Sequence, residues 1–355
     1  MELSKLLLTF ALMSTFFSFG TLADSKLPIL KTKQTLDNLR YISADGSVTY
    51  FQRTSGSLLL STNYRIYEIQ KSSKNTQYYV HSTQSKKHIL IQKNPTYQQF
   101  FDHRPLNEIL ISPYGSKDVR KVGVGTNPKF HLKDQWFTYY QPYSKKIHIN
   151  NSVEESIKYD ISLATTLNPY FIPDRVMSDS NTLFFTDVNQ KGFPGVLKYT
   201  FSNKKLETYK KFQSPNTKVS ICRINDHLIV AKSSFDSLEK GTTIYKVPFK
   251  NLTSSAEVIL YQSAENDLIN LVCVQNESVV YFIKTIKDES GKLTYEAASL
   301  NTKDKKLKVV GDLKFANQII NMDGNILISY LSNYYVLKGK SDYTEYDQLS
   351  KKEGE

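Results

Sequence analysis

The side chains that could do chemistry here are few: two cysteines and six histidines in 355 residues. His81, His88, His103, His131, His148 and His227 show no His-x-x-x-His or finger-type spacing, so structural or surface roles are expected and no metal or other cofactor. Alternating strands could bring His131 and His148 together in one sheet unit. There is no Gly-x-Ser-x-Gly elbow and no His-Glu-x-x-His, the patterns that would announce a serine nucleophile or a zinc hydrolase. Gly123-Val124-Gly125 is too short for a dinucleotide loop and reads as the end of a strand. Asp134, Asp187, Asp226 and Asp323 recur at expected hairpin turns, where carboxylates bond their own backbone. A glycosidase-type carboxylate pair is the rival use for them. Cys222 and Cys273 are the disulfide candidates, and two buried free thiols are the alternative.

The binding candidates are basic doublets set among aromatics. Lys86-Lys87, Arg120-Lys121 and Lys145-Lys146 flank expected strands, with Tyr78, Tyr79, Tyr139, Tyr140 and Tyr143 nearby. Cations interleaved with exposed aromatic rings suit an anionic glycan or a protein. Lys86, Lys87, Arg120, Lys121, Tyr143, Lys145 and Lys146 are therefore the candidate binding residues. Lys204-Lys205 and Lys305-Lys306 occupy similar places, which favours simple solvation of such doublets. The total charge of +12 is unevenly distributed. Residues 24–150 hold 19 Lys/Arg against 8 Asp/Glu, net +11, whereas residues 151–355 hold 26 against 25, net +1. Such asymmetry either marks a face for an acidic partner or keeps the chain soluble.

These residues must be placed by β-structure. The chain has 24 Tyr and 19 Phe against 14 Gly, and aromatics favour pleated strands. Asp134-Gln135-Trp136-Phe137-Thr138-Tyr139-Tyr140-Gln141-Pro142-Tyr143-Ser144-Lys145-Lys146-Ile147-His148-Ile149 reads as a hairpin: apolar strand, Pro-containing turn, alternating strand. The pattern returns seven times. Its reference positions, Val48, Ile89, Trp136, Leu183, Leu228, Val279 and Ile326, are spaced by 41, 47, 47, 45, 51 and 47 residues. A period near this value with about four strands in each unit is that of a β-propeller blade. Both faces of the reference strands are apolar, as sheets sandwiched between neighbours require. The fold expected is all-β, a propeller of seven four-stranded blades, with six the alternative count. Cys222 and Cys273 each precede their reference position by six residues, so they fall at equivalent places in adjacent inner strands.

The ends read differently. Residues 1–23 resemble an export signal: one cation, an apolar run over 6–17, and Thr21-Leu22-Ala23 before Asp24. That run is shorter than the roughly 20 residues of a membrane span. The expected product is a periplasmic or extracellular protein, a propeller over 24–338 and a disordered polar tail over 339–355. Leu27-Pro28-Ile29-Leu30-Lys31 is a spare strand expected to close the last blade, since an open edge invites aggregation.

Asn127-Pro128-Lys129-Phe130 leading into Lys133-Asp134-Gln135-Trp136-Phe137-Thr138-Tyr139 resembles the repeat of TolB-type and WD-repeat-like propellers. Tyr41-Ile42-Ser43-Ala44-Asp45-Gly46 resembles the serine-x-aspartate-glycine turn of that repeat. These 355 residues leave no room for the extra α/β domain of TolB or the hydrolase domain of propeller peptidases. The expected function is a monomeric, non-enzymatic binding or scaffold module of the cell envelope, recognising a protein or an anionic polymer. A glycan hydrolase or lyase acting at the channel mouth is the alternative. No nucleic-acid partner is expected.

Overall fold

In the computed structural model, the described residues are 31–32 and 39–343, apart from 53–54, 63–64, 72–75, 82, 84, 95–106, 155, 164–171, 190, 235–239, 251, 253, 288, 311–317, 331–332 and 340–341. Each reference strand of the sequence pattern is the second strand of an antiparallel sheet. Blade 1 comprises Leu39–Ile42, Val48–Gln52, Leu58–Thr62 and Arg65–Gln70. Blade 2 comprises Gln77–His81, His88–Asn94, Glu108–Pro113 and Arg120–Val124. Blade 3 has Thr126–His131, Trp136–Gln141, Lys146–Asn151 and Lys158–Ser162, and blade 4 has Arg175–Asp179, Thr182–Val188, Pro194–Thr200 and Lys205–Lys211. Blade 5 has Thr217–Ile224, His227–Ser234, Gly241–Pro248 and Val258–Ser263. Blade 6 has Leu268–Val274, Val279–Lys287, Leu293–Asn301 and Leu307–Val309. Blade 7 shows Gln318–Met322, Asn325–Tyr330 and Asn333–Lys338.

The core lies between the sheets. Among the described residues, one buried apolar cluster bridges each pair of neighbouring blades. The last of them closes the ring: Ile42 of blade 1 packs with Met322, Leu327 and Val336 of blade 7. Asn325 adds a side-chain hydrogen bond to the carbonyl of Ile42, 3.3 Å. Among the described residues that seam has four buried apolar side chains, against eleven between blades 1 and 2. Trp136 lies at the joint of blades 3 and 4, its indole stacked near Tyr159 and Phe201 at 6.3 and 6.2 Å.

Polar side chains tie three of the blades to the start of the next. Gln52 Oε1 of blade 1 accepts from the Tyr78 N–H at 3.1 Å, and Gln92 Oε1 of blade 2 accepts from the Asn127 N–H at 2.8 Å. Asp174 Oδ2 accepts from the Ile221 N–H at 3.1 Å. Each bond satisfies a donor of an inner strand that has no sheet partner on its axial side. The Gly-x-Gly segment also belongs to this packing. A Cβ on Gly123 would overlap Tyr139 Oη, and one on Gly125 would stand 2.6 Å from the Tyr140 carbonyl oxygen. These glycines let blade 2 lie flat on blade 3.

Cys222 and Cys273 are bonded to each other, with Cα atoms 6.0 Å apart, joining the inner strands of blades 5 and 6. The even choice left by the sequence is thus resolved toward the bridge. At the ends, Lys31–Thr32 pairs in parallel with Asp342–Tyr343 in a separate two-stranded sheet, so the described end of the strand expected to close blade 7 does not join that blade. The rest of the expected closing strand, 27–30, the export signal at 1–23 and the tail beyond 343 lie outside the described residues. No helix among the described residues is long and apolar enough to cross a membrane.

Candidate functional site

Antiparallel pairing sends successive turns of a blade to opposite faces of the ring, and this divides the candidate binding residues. Lys86 and Lys87 occupy the turn between the first two strands of blade 2. Arg120 and Lys121 open its fourth strand, on the same face. Tyr143, Lys145 and Lys146 lie at the turn joining the second and third strands of blade 3, which is the other face.

The first face is largely neutralised. Lys86 Nζ sits 3.3 Å from Asp45 Oδ2 and 3.8 Å from Asp323 Oδ2, above the ring of Tyr114. Three blades meet in that contact: 2, 1 and 7. The Ser47 hydroxyl and N–H, with help from Ser43, hold the Asp45 carboxyl well below the usual carboxylate range, whereas burial pushes Asp323 up. Lys121 Nζ is 2.7 Å from Glu108, which Lys93 also meets at 3.1 Å. Asp134 is spent on blade 2, accepting from the Ser85 N–H at 2.9 Å and from its hydroxyl at 2.8 Å. The turn carboxylates therefore act as staples and caps. Lys87 is exposed, with no ion pair among the described residues.

The turn of blade 3 on the second face keeps its charge. Lys145 and Lys146 have no ion pair among the described residues, and Tyr143 is 49% exposed between them and Pro142. Beside them runs a short polar chain. The Ser144 hydroxyl donates to Gln141 Oε1 at 2.8 Å, and the same oxygen stands 3.1 Å from His148 Nε2. His148 Nδ1 is 2.7 Å from Asp160 Oδ1, and the imidazole is stacked on Tyr139 at 4.8 Å. This is no nucleophilic triad: the Ser144 hydroxyl bonds Gln141 rather than the histidine, whose ring nitrogens are turned to Gln141 and Asp160. His131 does not meet His148. It lies on the inner strand, with Nε2 2.9 Å from the Thr138 hydroxyl, and the second strand runs between the two.

A second cationic group was not legible as a site in the sequence. On the inner strands of blades 2, 3 and 4 stand His81, Lys129, His131 and Arg175. Arg175 has 0% exposure. Its Nη2 donates to the carbonyl of Asn127, while Nε and Nη1 have no partner among the described residues. His81 Nε2 is likewise buried and without a partner among them. Burial lowers the Arg175 pKa to about 10, with Asp174 opposing the shift, so the guanidinium remains charged at neutral pH. Burial also lowers Lys129, against the pull of Asp174 and reinforced by Arg175. His81 falls to about 4 and His131 well below its ordinary value, burial first and neighbouring cations second. One register signal marks this group. Relative to the residue paired with each reference position, Lys129 and Arg175 stand two residues earlier, where blades 5, 6 and 7 carry Ile221, Val272 and Ile319.

No cluster of three or more His, Cys, Asp or Glu side chains suited to a metal occurs among the described residues. No family model matches the chain, and no curated protein sequence does. Solved structures do resemble it. A prolyl endopeptidase aligns with TM-score 0.55 and 12% identity over 83% of this chain and 47% of its own. A puromycin-hydrolysing peptidase from Mycobacterium tuberculosis aligns at 0.54 and 11%, over 82% of this chain and 48% of its own. An uncharacterised protein from Listeria monocytogenes aligns at 0.54 and 9%, over 86% of this chain and 93% of its own. The chain thus spans about half the length of the two peptidases. At such identities the likeness is one of fold, and the fold is a seven-bladed β-propeller.

Proposed function

We propose that this chain is an exported, non-enzymatic binding module whose partner is an acidic macromolecule met by the second–third strand turn of blade 3. The observation that supports this reading is the contrast between individual cations. Lys86 and Lys121 are consumed by carboxylates, while Lys145 and Lys146 have no ion pair among the described residues and flank an exposed tyrosine. Exposed residues on a turn held by a rigid sheet are where binding function concentrates. Tyrosine adds apolar area and a hydroxyl at low entropic cost. The Cys222–Cys273 bond supports export, because disulfides persist in oxidising compartments.

The test is binding to dextran sulfate, poly-glutamate and neutral dextran at low and high salt. The expected result is salt-sensitive binding to an acidic polymer, weakened at least tenfold by Lys145→Glu with Lys146→Glu and unaffected by Lys204→Glu with Lys205→Glu. Equal binding by both double variants would refute the assignment to this turn. Catalytic breakdown of an acidic polysaccharide by the purified chain would refute the non-enzymatic part.

A further inference from the structure

Resting on that surface reading, we infer that the acidic partner is a polysaccharide chain that runs across two blades, from the Tyr143 turn of blade 3 to Lys191, Phe193 and Lys211 of blade 4. The inference starts from a repetition. Residues 189–193 join the second and third strands of blade 4, so they open on the same face as residues 142–145 of blade 3. They carry the same two kinds of group. Lys191 is exposed, Phe193 is half-buried, and Lys211 Nζ lies 5.9 Å from the centre of the Phe193 ring. Neither lysine has an ion pair among the described residues, whereas Lys210 is held by Glu257 at 2.6 Å. Asn189 fixes the turn, its Oδ1 accepting from the Lys191 N–H at 2.9 Å and the Phe193 N–H at 3.0 Å.

The segment that links the two blades joins the two turns. Its first residue, Leu163, donates its N–H to the Lys145 carbonyl at 2.8 Å. At its far end the Asp174 N–H donates to Thr186 Oγ1 at 2.8 Å, and the Thr186 N–H returns a bond to the Asp174 carbonyl at 3.0 Å, three residues before Asn189. Between these anchors residues 163–173 include no charged side chain, and Ile172 is 45% exposed. The acids that border the route are engaged. Asp160 meets His148 at 2.7 Å, Asp174 accepts from the Ile221 N–H at 3.1 Å, and buried Asp187 accepts from the Val188 N–H at 2.8 Å. A ligand that meets a cation and an aromatic ring twice in succession is one that repeats. A sugar ring bearing a sulfate or carboxylate brings an oxyanion for the lysines and a C–H face for the aromatic side chain in every unit. An acidic polypeptide repeats the charge without that face. Two such contacts on one chain reinforce each other through effective concentration.

The experiment measures binding of the full chain to size-fractionated dextran sulfate and carboxymethyl-dextran at low salt, with poly-glutamate alongside. The wild type is expected to bind long sugar chains about tenfold or more tighter than the shortest oligomers that bind, and tighter than poly-glutamate of equal charge. Lys191→Glu with Lys211→Glu is expected to lose about fivefold or more on long chains and little on the shortest oligomers, which the blade 3 turn still holds. Lys204→Glu with Lys205→Glu, the same charge change on the other face of blade 4, is expected to lose nothing. Equal binding of long chains by the wild type and the Lys191→Glu, Lys211→Glu variant would overturn the two-blade route. If Lys145→Glu with Lys146→Glu still loses binding in that case, the surface reading stands without it. Poly-glutamate bound as tightly as either sugar polymer would overturn the polysaccharide. Binding unchanged in both double variants would overturn this inference and the surface reading together.

Discussion

Breaking the Cys222–Cys273 bond perturbs one joint of the ring without removing apolar surface. The bond closes a loop of 51 residues that contains most of blade 5 and the start of blade 6. The chain-entropy relation gives about 4 kcal/mol for such a loop, from 298 K times the sum of 2.1 and 1.5R ln n cal/mol/K. Over the roughly 300 residues of the ring, unfolding entropy is about 0.6 kcal/mol/K, so that stabilisation corresponds to about 6–7 °C in Tm. Three samples are compared by calorimetry at one scan rate: the oxidised wild type, the wild type held reduced, and Cys222→Ala with Cys273→Ala. The reduced chain and the double variant are both expected to melt about 6 °C below the oxidised one. The variant falls somewhat further, because Cys222 is 4% exposed and truncation leaves a void. Oxidised and reduced samples melting within about 1 °C would refute the reasoning. It would mean that blades 5 and 6 are held in register by packing alone.

Other consequences follow from particular contacts. Gly123→Ala forces a methyl into Tyr139 and should cost about 1–3 kcal/mol in urea unfolding, with Tyr139→Phe giving little relief because the ring carbon Cζ is also in the way. Trp136→Ala removes a buried indole stacked near Tyr159 and Phe201 and should cost about 3–5 kcal/mol by the same assay. Acid should weaken the fold through His81, whose folded pKa of about 4 lies below its ordinary 6.5. Between those values the unfolded chain binds the proton and the folded one does not, so stability falls as pH drops from 6.5 toward 4. His131 acts in the same direction. Melts at stepped pH check this, and His81→Phe with His131→Phe should flatten the slope in that window. Hydrogen exchange should be fastest, within the inner strands, at Leu39–Ile42 and Gln318–Met322, which form the seam with fewest buried apolar side chains among the described residues.

The architecture was legible because it depends on repetition. Val48, Ile89, Trp136, Leu183, Leu228, Val279 and Ile326 stand in equivalent strands because every blade must present apolar residues to both neighbours. The cysteine pair was half legible: equal offsets placed both residues on adjacent inner strands, but only their separation in space decides between a bridge and two thiols. The site was less legible, for two physical reasons. Doublets such as Lys86-Lys87 and Lys145-Lys146 look alike in sequence, and their difference lies in carboxylates brought from other blades. Asp323 neutralises Lys86 from the far end of the chain, a contact that exists only because the ring closes. Lys129 and Arg175 stand on different blades, so no local window contains both, although polar residues at a position elsewhere filled by Ile221, Val272 and Ile319 were a readable departure from the repeat.

The most direct test of the proposed binding role is hydrogen exchange of the chain with and without an acidic polymer at low salt. Protection is expected at residues 141–148, around Tyr143, Lys145 and Lys146, and is expected to vanish at high salt. Protection confined to the opposite face, around residues 85–87 and 114–121, or its absence from both faces, would contradict the account.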